Sequence, residues 1–163
     1  MEYQADEGVR VLGDADMIRQ ATANLISNAV RYTPEGGHIT VQVKRGDLMA
    51  SIAVRDTGIG LSPEECKMVF SRFWRADAGR NRESGGLGIG LAVVKEIVDR
   101  HGGWVQVEGR KDEGACFTIH IPLYDEGRTP KARQQKPKQA KVPKVAKGKE
   151  NSARRGIDSQ TAR

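Results

Sequence analysis

The chain has 163 residues and a formal net charge of +6, with 27 lysine and arginine residues against 21 aspartate and glutamate residues. This length suits one domain with a buried core. The two cysteines, Cys66 and Cys116, are too few and too far apart for a disulfide framework or a zinc site. No apolar run approaches the roughly 18–20 residues that span a bilayer, and Met1 opens no signal peptide. We expect a cytoplasmic protein that reaches a membrane only through segments outside this sequence.

The charge is distributed unevenly along the chain. Residues 125–163 carry 12 lysines and arginines against 4 acidic residues, whereas residues 1–124 carry 15 against 17. Every aromatic residue and 16 of the 19 glycines precede residue 125. A segment rich in lysine and proline and poor in apolar residues cannot bury enough surface to offset its ordering entropy. We therefore predict a folded domain over residues 1–124 and a basic, disordered tail over residues 125–163.

The first elements are predicted to be a short strand and a long helix. The strand is expected over Val9–Leu12, and Asp14 then supplies a helix cap. From Ala15 to about Tyr32 the apolar side chains recur at the helical period and share one broad face. These side chains are Ile18, Ala21, Leu25, Ile26, Ala29 and Val30.

Two asparagines lie one turn apart on this predicted helix. Asn24 and Asn28 are neighbours on its surface because they are four residues apart. Asparagine favours caps and turns over helix interiors, so the pair is unusual. Either both amides are solvated, or their oxygens face a metal ion or a phosphate.

A hairpin is predicted after the helix, and its second strand ends in a carboxylate. Ile39–Arg45 and Met49–Arg55 alternate as strands around a Gly-Asp turn. Asp56, Gly58 and Gly60 then follow at alternate positions. Asp56 either begins a simple turn or accepts a hydrogen bond from an exocyclic amine in an apolar slot. The second arrangement discriminates strongly, since a ligand without the amine leaves the carboxylate unpaired.

The next segment combines a short helix, an aromatic cluster and a polar loop. Ser62 and Pro63 are typical of a helix start, and that helix is expected to run to about Phe70. Phe73 and Trp74 follow, for which core packing is the simplest explanation. Residues 75–86 are polar, rich in glycine and contain three arginines. We predict a mobile lid that becomes ordered over an anionic ligand.

Three glycines at alternate positions, Gly86, Gly88 and Gly90, lead directly into an amphipathic helix that begins at Leu91. Glycine allows a backbone to turn sharply and approach a ligand closely. A helix that begins there offers unpaired N–H groups and a positive dipole end to a polyphosphate. The alternative is a flexible hinge, and the spacing matches neither the Walker nor the dinucleotide pattern.

Two strands are predicted at the end of the domain, over Trp104–Glu108 and Cys116–Ile121, around a turn at Gly109–Gly114. The sheet is expected to end at Pro122, which lacks an N–H for further pairing. The three histidines lie apart in this pattern, and we assign them structural or solvated roles. They are His38, His101 and His120.

Taken together, these segments resemble the ATP-binding catalytic domain of sensor histidine kinases, in the superfamily that includes gyrase, Hsp90 and MutL proteins. The resemblance covers about residues 9–123. Asn24–Pro34 resembles the family's N box, Asp56–Gly60 its G1 box, Phe70–Phe73 its F box and Gly86–Leu91 its G2 box. It implies an α+β fold, the Bergerat-type two-layer sandwich, in which three helices cover a mixed, mostly antiparallel sheet.

The resemblance also implies a role for each box in binding ATP and Mg²⁺. Asn28 would hold the metal, Asn24 and Arg31 would face the phosphates, Tyr32 would flank the adenine, and Asp56 would accept from its amino group. The implied ATP-binding set is Asn24, Asn28, Arg31, Tyr32, Asp56, Gly58, Gly60, Phe73, Arg80, Arg82, Gly86, Leu87, Gly88, Ile89, Gly90 and Leu91. Asn24 and Arg82 are the candidate γ-phosphate contacts, and no catalytic residue is assigned beyond them.

The sequence departs from the family pattern at two residues. Leu87 and Ala115 stand where hydroxyl residues are common. Asn24 stands where the hydrolases of the superfamily carry a general-base glutamate, and an amide cannot take a proton near pH 7. A histidine kinase is therefore favoured over a hydrolase. The implied partners are a phosphoacceptor hairpin of the same kinase, which this chain lacks, and a response regulator.

A second hypothesis concerns the basic tail. The chain would then be an ATP-binding module of another superfamily member whose tail binds nucleic acid or an acidic surface, with salt-sensitive affinity. The simpler alternative is a solvated extension. Since the tail has no aromatic residue to stack on bases, we expect no specific nucleic-acid partner.

Overall fold

The computed structural model describes residues 1–75 and 87–124. This part of the chain contains five strands and three helices. Their bounds are β1 Glu2–Ala5, α1 Ala15–Tyr32, β2 Ile39–Arg45, β3 Met49–Asp56, α2 Pro63–Met68, α3 Gly90–Arg100, β4 Trp104–Arg110 and β5 Gly114–Pro122. None of the helices in the described ranges is long and apolar enough to cross a membrane.

The strands form one sheet in the order β1-β2-β3-β5-β4. β1 runs parallel to β2, and the other three pairs are antiparallel. Val54 of β3 pairs with Val41 of β2 and with Phe117 of β5, so three buried side chains lie side by side. Leu25 of α1 and Val94 of α3 belong to the same core. The prediction of an α+β sandwich with a mixed, mostly antiparallel sheet is confirmed.

The strand predicted over Val9–Leu12 is wrong. Val11 makes only an isolated bridge with Leu123, and the first strand is instead Glu2–Ala5. All four residues of β1 are exposed, so their sequence carries no alternating pattern of burial. Pairing with β2, more than 30 residues later in the chain, makes this segment a strand.

The predicted helix starts are confirmed for α1 and α2. The Asp14 carboxylate accepts hydrogen bonds from the backbone N–H groups of Asp16 and Met17. Ser62 and Glu65 form a capping box at the start of α2. Glu65 also pairs with Lys111, and this contact is the main reason that the pKa of the Glu65 carboxyl is lowered. The pair ties α2 to the turn between β4 and β5.

His101 joins the end of α3 to the start of α1. Its Nε2 accepts a hydrogen bond of 3.0 Å from the backbone N–H of Asp14, and its Nδ1 lies 2.7 Å from the carbonyl oxygen of Ile97. The tautomer that satisfies both contacts carries its proton on Nδ1. The structural role predicted for this histidine is therefore a link between two helix ends.

Candidate functional site

A cleft of about 220 Å³ lies between the C-terminal half of α1, the end of β3 and the start of α3. Eleven of the sixteen residues predicted to bind nucleotide line it. They are Asn24, Asn28, Arg31, Tyr32, Asp56, Gly60, Leu87, Gly88, Ile89, Gly90 and Leu91.

Asp56 is the one buried charged side chain among the described residues, with 5% of its surface exposed. Its Oδ1 accepts hydrogen bonds from the backbone N–H groups of Gly58, at 2.9 Å, and of Ala115, at 3.3 Å. Within residues 1–75 and 87–124, no hydrogen bond reaches Oδ2. The carboxylate is thus fixed by one oxygen, and the other remains able to accept a hydrogen bond from a ligand in the cleft.

The glycines that follow Asp56 are required by the protein's own packing. A Cβ on Gly58 would lie 2.2 Å from the carbonyl oxygen of Tyr32, and a Cβ on Gly60 would lie 1.7 Å from that of Arg110. Gly60 also has a φ of +64°, which favours glycine. Gly58 does not line the cleft. These residues let the loop pass between the end of α1 and the β4–β5 turn.

The two asparagines of α1 have different surroundings. The Asn24 side-chain amide donates a hydrogen bond of 3.3 Å to the carbonyl oxygen of Gly90, the first residue of α3. Asn28 is half-buried and lies on the same wall of the cleft one turn later. Since an amide oxygen is a hard ligand, Asn28 suits Mg²⁺ or Ca²⁺ in chemistry.

The start of α3 forms another wall of the cleft and supplies the glycine-rich part of its lining. Gly88 has a φ of +67° and packs against the backbone of Phe73 and Trp74. A Cβ on Gly90 would meet no described atom closer than the Asn24 Cγ, at 3.9 Å. No side chain caps this helix, so its first N–H groups and its positive dipole end are available at the cleft.

Two predicted residues within the described ranges do not line the cleft, and three others fall outside those ranges. Phe73 has a φ of +64°, and its side chain is 73% exposed; its backbone N–H donates to the carbonyl of Gly88. Gly58 supports the Asp56 carboxylate, as described above. Arg80, Arg82 and Gly86 lie outside the described residues, as does all of the predicted lid except Arg75.

Several lining residues were not among the predicted ligands. These are Ser27, Ile59, Leu61, Val69, Trp74, Arg75, Ala115 and Phe117. Most are apolar, and their sequence signal is the same as that of any core residue. Ala115 is the informative case, because its contribution is a backbone N–H that no side-chain pattern reveals.

The chain belongs to the family of histidine kinase-, DNA gyrase B- and HSP90-like ATPases, whose pattern it matches over residues 13–125. Within that family its relatives are sensor histidine kinases. The sensor-like histidine kinase SenX3 of Mycobacterium tuberculosis is 39% identical over 135 residues, which cover 80% of this chain and 33% of SenX3. The chain therefore spans about a third of the length of this relative.

Solved structures agree with this assignment. The mycobacterial sensor histidine kinase MprB superposes with a TM-score of 0.65 at 32% identity, covering 75% of this chain and 83% of that chain. Full-length ShkA, solved in complex with AMPPNP, superposes with a TM-score of 0.64 at 29% identity, covering 75% of this chain and 25% of the ShkA chain. The chain is an ATP-binding catalytic domain of the sensor histidine kinase type, and the alternative of another superfamily member is not favoured.

Proposed function

We propose that this domain binds ATP with Mg²⁺ and supplies the γ-phosphate to a histidine on a separate helical hairpin of the same kinase. From there the phosphoryl group would pass to an aspartate of a response regulator. The observation that carries the proposal is the buried Asp56 carboxylate, whose Oδ2 has no hydrogen bond from the described protein. A buried acceptor of this kind matches the exocyclic amino group of adenine.

Each wall of the cleft would contact one part of the nucleotide. Asp56 would accept from the adenine amino group, with Tyr32 beside the base. The N–H groups at the start of α3 and the Arg31 guanidinium would meet the phosphates, which carry the negative charge. The ShkA complex with AMPPNP, a nucleoside triphosphate analogue, supports this use of the fold.

Asn28 would hold Mg²⁺ through its side-chain oxygen. Within the described ranges no group of three histidine, cysteine or acidic residues is placed to bind a metal ion. Mg²⁺ is commonly held by one or two protein oxygens together with the phosphates and water, and a single amide on the cleft wall fits this mode. When bound, the ion would offset phosphate charge.

The chemistry proposed for the protein is positioning and charge stabilisation. Asn24 lies where a general base would act, but its amide cannot take up a proton, and it donates instead to the Gly90 carbonyl. Asn24 would therefore not activate a water molecule. A neutral imidazole nitrogen can attack without prior deprotonation, which makes a histidine on another domain a suitable acceptor.

Calorimetric titration with ATP and GTP, each with and without Mg²⁺, tests this proposal. We expect selective binding of ATP that Mg²⁺ strengthens. Asn28→Ala should remove the effect of Mg²⁺ and leave metal-free binding in place. Asp47→Asn, on the exposed hairpin turn, is the control and should change neither.

A second experiment tests the transfer. A hairpin bearing the phosphoacceptor histidine, taken from a sensor kinase and added in trans, should become labelled from γ-labelled ATP with an acid-labile phosphate.

Equal binding of ATP and GTP in the titration, or no binding of either, would refute the assignment of Asp56.

A further inference from the structure

The imidazole of His101 joins α3 to α1 at the end of α3 that is remote from the cleft. Its Nε2 accepts a hydrogen bond of 3.0 Å from the backbone N–H of Asp14, at the start of α1, and the residue does not line the cleft. At the other end of α3, the Asn24 side chain of α1 donates to the Gly90 carbonyl. Since a helix rises about 1.5 Å per residue, the two hydrogen bonds lie roughly 16 Å apart along α3. Together with the core packing, they determine how α3 is oriented against α1.

The hydrogen bond to His101 replaces a local one. In a capping box, a glutamate or glutamine at the third helical position accepts from the backbone N–H of the cap residue, as Glu65 does for Ser62 in α2. The third position of α1 is Met17, whose thioether is only a weak acceptor. The N–H of Asp14 is bonded instead to a residue 87 positions later in the chain. The start of α1 therefore depends on α3 for this hydrogen bond.

The imidazole is held closely between the two helix ends. Its Nδ1 lies 2.7 Å from the carbonyl oxygen of Ile97, one turn earlier in α3. A Cβ on Gly13 would lie 2.3 Å from His101 Cδ2 and 2.7 Å from its Nε2, so glycine is needed where the chain passes the ring. Ile97 and Val98 are buried in the core. The ring is therefore fixed to the last turn of α3, and the segment before α1 packs directly against it.

We propose that His101 is a positioning residue for the phosphates of the nucleotide. By holding the end of α3 against the start of α1, it fixes the direction in which the other end of α3 presents its N–H groups to the cleft. This role rests on the proposed function, because the start of α3 is the proposed phosphate site. It extends that function to a residue that does not touch the nucleotide. The base side of the cleft is built on Asp56 and Ala115, from β3 and β5, so His101 should affect the phosphates and leave the base contact unchanged.

The test measures the affinity for ATP with Mg²⁺ by calorimetry in the unmodified chain and in matched variants. His101→Leu removes the acceptor and should weaken binding about three- to tenfold, the effect of one hydrogen bond on a dissociation constant. His101→Gln supplies an amide oxygen as the acceptor in place of Nε2 and should bind ATP like the unmodified chain. His38→Leu, the same substitution at an exposed turn, is the control and should not change the affinity.

A further variant displaces the imidazole without removing it. Gly13→Ala places a Cβ against the ring and should weaken ATP binding to a similar extent. Thermal melting shows whether each variant is folded, and Gly13→Ala provides the same comparison if His101→Leu does not fold. If neither variant folds, the contact is required for folding itself, and the positioning role is overturned.

NMR spectroscopy of the backbone N–H groups locates the effect within the cleft. The signals of Gly58 and Ala115 report on the base side, and those of Gly90 and Leu91 report on the start of α3. At saturation with ATP and Mg²⁺, His101→Leu should retain the ligand-induced shifts at Gly58 and Ala115 and show reduced shifts at Gly90 and Leu91. A general loss of structure would reduce all four shifts alike, and that result would refute the positioning role.

The outcomes separate the role of His101 from the proposed function. If the unmodified chain does not bind ATP, both are overturned. If it binds ATP and His101→Leu binds as tightly, only the role of His101 is refuted. The same conclusion follows if His101→Gln binds as weakly as His101→Leu, because the acceptor would then not be the group that matters.

Discussion

The side-chain amide of Asn24 donates a hydrogen bond across 3.3 Å to the backbone carbonyl of Gly90, 66 residues later in the chain. The bond joins the middle of α1 to the first residue of α3. Both residues line the cleft. The Asn24–Gly90 hydrogen bond therefore helps to set the separation between the cleft wall that carries Asn28 and the start of α3, which we propose receives the phosphates.

Replacing Asn24 by aspartate should destabilise the domain more than replacing it by alanine. Aspartate puts an acceptor opposite the Gly90 carbonyl, whereas alanine only removes the bond. We expect a loss of about 1 kcal/mol for Asn24→Ala and about 1–3 kcal/mol for Asn24→Asp. Urea denaturation measures both values. Equal stability of the two variants would show that the bond is not formed in solution.

The domain alone should hydrolyse ATP very slowly. Since Asn24 cannot act as a base, a contribution of typically 10²- to 10⁴-fold is missing. Phosphate release from the purified chain measures this rate. Brisk hydrolysis that Asn24→Ala abolishes would contradict the assignment to the kinases.

Alanine at Gly88 and alanine at Gly90 should have opposite effects on folding. Gly88 has a φ of +67°, and a Cβ there would lie 2.8 Å from the Trp74 carbonyl oxygen, so we expect a loss of at least about 1–2 kcal/mol. Gly90 begins a helix, and apart from its chain neighbours and its own helix backbone, the first described atom that an added Cβ would meet is the Asn24 Cγ, at 3.9 Å. Alanine at this position should therefore be neutral or slightly stabilising.

The same pair separates folding from ligand binding. If phosphates approach the backbone at Gly90, Gly90→Ala should weaken ATP binding without lowering the melting temperature. The two quantities are measured on one preparation, by calorimetry and by thermal melting. Unchanged ATP affinity in a stable Gly90→Ala variant would mean that the phosphates do not contact this position.

His120 should make the domain less stable in mild acid. Its ring stacks on Trp104 at a centroid distance of 4.6 Å, and its Nε2 is buried with no hydrogen-bond partner in the described structure. Burial lowers the pKa of His120 below its ordinary value of 6.5. The unfolded chain therefore binds a proton at a higher pH than the folded chain does, and stability is lost as the pH falls below about 6.5.

His120→Phe keeps an aromatic ring against Trp104 and should flatten this dependence. The measurement is the free energy of unfolding between about pH 5 and pH 8, the range in which histidine titrates. His38→Gln, at an exposed turn, is the matched control and should retain the slope of the unmodified chain. An unchanged slope in His120→Phe would assign the pH dependence to another group.

Local sequence was sufficient for the elements whose signal is local. The helix at 15–32 follows from its apolar period and the Asp14 cap, and the hairpin of β2 and β3 from its alternation and short turn. The residues of the boxes and their order identified the family and eleven of the cleft residues. The boundary at residue 124 and the character of the basic tail rest on composition and remain predictions.

Tertiary structure decided the features that depend on distant partners. β1 is a strand because β2 lies beside it, and its exposed residues show no pattern that could predict this. Ala115 reaches Asp56 across 59 residues, and Asn24 reaches Gly90 across 66; both bonds use a backbone group, which every residue possesses. Side-chain type and spacing determine which chemistry a segment can offer. Which oxygen of Asp56 is left for a ligand depends on where the folded sheet places two backbone N–H groups.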